Sequence, residues 1–131
     1  MKPTLSTVAE FTNQQVFNFV GKHLEKQGEA SINAGKCRYR LNKNGKDLSC
    51  AIGCLISDKN YKETFEGKSV ISLVGYNYFE KVITDESKIK LLENLQQLHD
   101  YEMNWNNIPK SLKLFAEENN LNYETNTRNI R

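Results

Sequence analysis

The chain has 131 residues, 38% apolar and 26% charged, with 18 basic side chains against 16 acidic ones for a net charge of +2. These values fit one globular domain over residues 1–131. They exclude a disordered or collagen-like chain and argue against a strongly cationic binder of duplex nucleic acid. Three cysteines and no charged start leading into a long apolar run point to a reduced, cytoplasmic setting. The longest nearly apolar stretch, Cys50 to Ile56, is far below the ~20 residues of a bilayer span, so no membrane segment is expected.

Residues 1–11 hold Pro3 with several Ser and Thr and read as a loosely ordered arm. Thr12 and Gln15 form a capping box, and Val16, Phe17, Phe19, Val20, His23 and Leu24 make one apolar stripe ending before Gly28, which predicts a helix over 13–27. Residues 29–36 read as a loop. From Cys37 to Leu41 the pattern alternates like a strand, Asn44-Gly45 supplies a hairpin turn, and 47–49 form the returning arm. The compact run Cys50 to Ile56, with small Ala51 and Gly53, reads as a short buried helix.

Ser57-Asp58 and Glu66-Gly67 punctuate a polar loop, after which Ser69 caps a short helix bearing Val70, Ile71, Leu73 and Val74. Thr84 reads as the cap of the clearest helix, whose face runs through Leu91, Leu92, Leu95, Leu98 and His99. Pro109 starts a last helix through Leu112, Leu114, Phe115 and Ala116, and the tail over 122–131 reads as less ordered. The expected fold class is α+β and mainly helical, with four or five helices packed against one small β-hairpin.

Cys37, Cys50 and Cys54, with His23 or His99, offer ligand types that suit zinc. Only Cys50 and Cys54 lie close in sequence, so the thiols read as structural packing, with no metal and no cofactor expected. A thiol nucleophile with His99 as base and Asp100 as orienter is a second arrangement. Successive helix residues point about 100° apart, so with His99 on the core seam Asp100 should turn away from its ring.

The third feature is a basic cluster, Lys36, Arg38, Arg40, Lys43 and Lys46, uninterrupted by an acid. On one strand Arg38 and Arg40 share a face, where paired guanidinium forks suit phosphate oxygens; a solvated, aggregation-proof strand edge is the alternative. Tyr76, Tyr78 and Trp105 could supply stacking faces for a base. There is no Walker loop, dinucleotide fingerprint, zincin helix or serine elbow.

The string Cys37-Arg-Tyr-Arg40, Cys50-Ala-Ile-Gly-Cys-Leu-Ile56, Asp58, Tyr61, Glu66-Gly67, Leu95-Gln-Gln-Leu-His-Asp100 and Trp105 resembles a group of small proteins encoded by bacteriophages and prophages. The likeness spans about residues 14 to 121. It implies a viral protein in the cytoplasm of an infected host cell, and no particular chemistry. Proteins of this class often act without catalysis. The expected function is therefore capture of a small phosphorylated or nucleotide-derived ligand by Arg38, Arg40, Lys43, Tyr76, Tyr78, His99 and Trp105, blunting host immune signalling. The alternatives are a small hydrolase of such a signal and an inhibitor that binds a host enzyme. Self-association is expected, with no interface indicated.

Overall fold

The capping box at Thr12 is complete: Thr12 Oγ1 accepts the Gln15 N–H at 3.1 Å and Gln15 Oε1 accepts the Thr12 N–H at 2.9 Å. It opens α1 (Asn13–Gln27), which ends where Gly28 turns left-handed at φ +75°. The structure, a computed structural model, describes residues 1–75 and 82–123. Among these residues the fold is α+β and mainly helical, with four α-helices and two two-stranded antiparallel hairpins.

The first hairpin lies where a loop was expected. Strands β1 (Ile32–Asn33) and β2 (Lys36–Cys37) pair across Ala34-Gly35, with φ of +53° and +77°. A left-handed alanine is uncommon, which is why nothing in the sequence marks this turn. The second hairpin joins β3 (Arg40–Lys43) to β4 (Lys46–Ser49) across Asn44-Gly45, at φ +54° and +84°, the expected turn. Arg38 and Tyr39 form the bend between the hairpins. The expectation that Arg38 and Arg40 stand two apart on one strand is thus corrected: β2 ends at Cys37 and β3 begins at Arg40.

The run from Cys50 to Ile56 is buried except for half-buried Cys54 and contains a single 3-10 turn at Gly53–Leu55. Helix α2 (Val70–Gly75) is short, and Ser69 Oγ accepts the Ser72 N–H as its cap. Helix α3 (Glu86–Tyr101) is capped by Asp85, not Thr84: Asp85 Oδ1 accepts the N–H groups of Ser87 and Lys88, satisfying two orphan donors with one charged acceptor. Helix α4 (Ile108–Glu118) carries Pro109 in its first turn and buries Ile108, Leu112, Phe115 and Ala116. Leu114, placed on that stripe from sequence, is exposed instead, because Leu112, Phe115 and Ala116 fix the inward side.

Helix α1 packs on α3 and α4, and α2 packs on α3. Phe17 stacks on Phe115 with centroids 5.6 Å apart, and Tyr123 meets Phe17 edge-on. The N-terminal residues are part of this core: Leu5 and Val8 are buried, the Leu5 N–H donates to Leu55 O at 2.7 Å, and buried Lys88 donates to Phe11 O at 2.6 Å. No helix among the described residues is long and apolar enough to cross a membrane. Of the tail expected to be loose over 122–131, Asn122 exchanges hydrogen bonds with Gln14 and Tyr123 packs on Phe17, and 124–131 lie outside the described residues.

Gly53 shows how tightly the centre is assembled. A Cβ there would lie 2.0 Å from the Tyr39 carbonyl oxygen, a backbone atom with nowhere to retreat. Gly53→Ala should therefore destabilise the protein by about 3 kcal/mol or more in denaturant unfolding. Gly21→Ala, whose Cβ would meet Leu112 at an ordinary 3.6 Å inside α1, should be neutral or stabilising by up to about 1 kcal/mol.

Candidate functional site

A groove of about 870 Å³ is walled by α1, the β3–β4 hairpin and the loop after Ile56. Half-buried Phe19 and Leu41 supply apolar surface, and His23, Arg38, Arg40 and Tyr61 supply polar groups. Glu66, whose side chain is 8% exposed, holds the backbone from which both arginines project. Its Oε1 accepts the Tyr39 N–H at 2.8 Å, and its Oε2 accepts the Arg40 N–H at 3.1 Å and the Tyr61 hydroxyl at 2.6 Å. Arg38 Nε lies 3.8 Å from the same carboxylate.

On the solvent side each arginine has a carboxylate partner. Arg38 donates to Glu63 at 3.0 Å and Arg40 to Asp58 at 2.7 Å, and these acidic side chains are 72% and 96% exposed. Arg40 also donates to Ile56 O and lies 5.0 Å above the Tyr61 ring centroid, so its plane is set from three sides. His23 Nε2 is 2.9 Å from Ser49 O and donates to that carbonyl, and burial pushes the His23 pKa below its ordinary value.

The other site residues expected from sequence lie apart from this groove. Lys43 pairs with Glu29 beside Lys46, and the two ammonium groups hold the Glu29 carboxyl below its usual range. His99 is fully buried, with the Trp105 ring edge-on to it at 5.6 Å, and Trp105 Nε1 has no hydrogen-bond partner among the described residues. Tyr76 and Tyr78 lie outside the described residues. The structure brings Arg38 with Arg40 and His99 with Trp105, as two separate groups.

His99 anchors a buried polar cluster. The Ser31 N–H donates to His99 Nε2 at 2.9 Å, which leaves the ring hydrogen on Nδ1, 2.8 Å from Asp100 Oδ1. Asp100 was expected to turn away; instead its carboxylate folds back along the helix, because Nδ1 sits close to its own backbone and within reach of the next side chain. Gln96 completes the cluster, accepting the Ile52 N–H through Oε1 and donating through Nε2 to Asp100 Oδ1 and Cys37 Sγ.

The donor atoms of Cys37, His99 and Asp100 lie within 4.8 Å of one another. A metal at Nδ1 would force the ring hydrogen onto Nε2, against the Ser31 N–H, so these residues do not fit a neutral-imidazole metal site. Nucleophilic chemistry fits no better. The hydrogen bond with Cys50, then burial, pushes the Cys37 thiol above its ordinary pKa range, and burial does the same to Cys54. Both nitrogens of His99 are engaged, and neither faces a thiol as an acceptor.

Sequence reasoning missed Glu66, Tyr61 and His23 as parts of one site. Glu66 and Tyr61 stood in the phage-like string but read there as loop punctuation, and no periodicity marks a carboxylate that caps backbone amides. Compared with protein-family models, curated proteins and solved structures, the chain gives no match in any of the three.

Two measurements test this arrangement. Glu66→Gln keeps the shape but turns a donor toward one of three donors, so it should cost about 2–4 kcal/mol in chemical unfolding, while Asp58→Asn leaves stability unchanged. For His23 the folded pKa lies below the unfolded value of 6.5. Its contribution is present above pH 6.5 and lost as pH falls through the lower folded value. The stability difference between wild type and His23→Gln should therefore shrink on going from neutral to acidic pH.

Proposed function

We propose that this protein is a non-catalytic binding protein whose groove captures a small phosphorylated or nucleotide-derived ligand. The observation that carries the reading is the pair of guanidinium groups at the groove, on a segment whose backbone is held by buried Glu66, each paired on its solvent side with an exposed carboxylate, Glu63 for Arg38 and Asp58 for Arg40. Exposed ion pairs are worth little, so a phosphate can take their place at small cost, and it meets donors that are already oriented. The half-buried side chains of Phe19, Leu41 and Tyr61 give a ring or sugar face somewhere to rest.

Capture is favoured over hydrolysis because the thiols of Cys37 and Cys54 are held protonated and His99 is closed off from the groove. In the bacteriophage setting that the sequence resemblance implies, sequestering a nucleotide messenger would blunt host immune signalling.

Calorimetry of the full chain against cyclic and linear nucleotides tests this reading. Binding is expected for at least one compound, weakened by about 1.5–3 kcal/mol in Arg38→Ala and in Arg40→Ala. Ligand released intact on heating supports capture, and altered ligand mass supports a hydrolase. No binding across the panel, or variants that bind as the wild type does, overturns the proposal.

A further inference from the structure

Among the described residues six large apolar side chains are exposed, and three of them converge on one hollow of about 590 Å³ between the end of α3 and α4. These are Tyr101, Met103, which is 95% exposed, and Leu114, which is 55% exposed. Scattered exposed apolar residues are ordinary on a protein surface, whereas a cluster in one hollow marks a contact surface.

The charges on α4 indicate what covers it. Lys110 and Glu118 stand four residues before and four after Leu114, so both sit one turn away on the same exposed face. Neither has an ion-pair partner among the described residues. A two-fold axis through Leu114, perpendicular to α4, would run the helix of a second copy antiparallel to the first. Position 110 of each copy then meets position 118 of the other, giving two opposite-charge pairs about a central Leu114 contact. Self-complementarity about one axis is what an isologous dimer requires.

We propose that this face binds a second copy of the chain, with the α4 helices antiparallel, Leu114 on the axis, and Tyr101 and Met103 closing the apolar contact on either side. Eleven residues make α4 only about 16 Å long, so the interface is small and the association weak and reversible. The inference is independent of the ligand groove.

Sedimentation equilibrium of the full chain from about 1 to 200 µM tests it. A reversible monomer–dimer equilibrium is expected, and a monomer throughout overturns the proposal. Lys110→Glu and Glu118→Lys each place like charges together at both contacts, so each should weaken the dimer about tenfold or more. Mixing the two variants should restore it, because each copy then carries the charge opposite to its partner's at both contacts. Thermal melts matching the wild type would show that these exposed substitutions leave the fold intact. Variants that dimerise like the wild type, or a mixture that stays as weak as its components, overturn the register.

Discussion

The Glu66 carboxylate is the interaction on which the centre of this protein depends. An ionised group with so little exposure carries a desolvation penalty of several kcal/mol unless its oxygens are used. Here they accept two backbone N–H groups and a phenol and lie beside a guanidinium. The bend between the hairpins has no sheet neighbour for the Tyr39 and Arg40 amides, and Glu66 supplies the acceptors a strand would have supplied. With the bend so held, Tyr39 turns inward to donate to Lys68 O, and its backbone presses on Gly53.

The bend is also tied to the helical layer by Ser31. Its N–H donates to His99, its hydroxyl donates to Arg38 O at 2.7 Å, and its carbonyl accepts the Arg38 N–H at 2.9 Å. Orientation of the arginine-bearing segment is thus shared between a carboxylate on one side and a buried imidazole on the other. The histidine, aspartate and thiol that invite a catalytic reading are held within this network: both His99 nitrogens are engaged, and the Cys37 thiol is pushed above its ordinary pKa range.

Much of the fold was legible in the sequence because its signals are local. The Thr12–Gln15 box, Gly28, Asn44-Gly45, Ser69 and Pro109 each act within a few residues, and each stands where its chemistry predicts. What could not be read turns on a backbone angle, a choice between adjacent caps, or partners distant in the chain. Ala34 accepts a left-handed backbone that no alanine advertises. Asp85 outcompetes Thr84 as a cap because its carboxylate reaches two amides. Leu114 looks like core by composition and is surface by angle. The candidate site was half legible for the same reason: the basic cluster named Arg38 and Arg40, but the carboxylates, carbonyl and ring that hold them lie 16 to 28 positions away, counted from Arg40 to Ile56 and from Arg38 to Glu66.

The way distant segments are fastened bears on how the protein is made. Leu5 bonds Leu55, Phe11 accepts from Lys88, and Gln14 exchanges hydrogen bonds with the backbone of Asn122, so the first helix is completed by residues far along the chain from it. Loops of this length must close before those contacts reward the chain, and topologies rich in such closures fold more slowly than helical bundles built from neighbours. During synthesis the apolar stripe of α1 lacks the cover of Leu112 and Phe115 until α4 has been made.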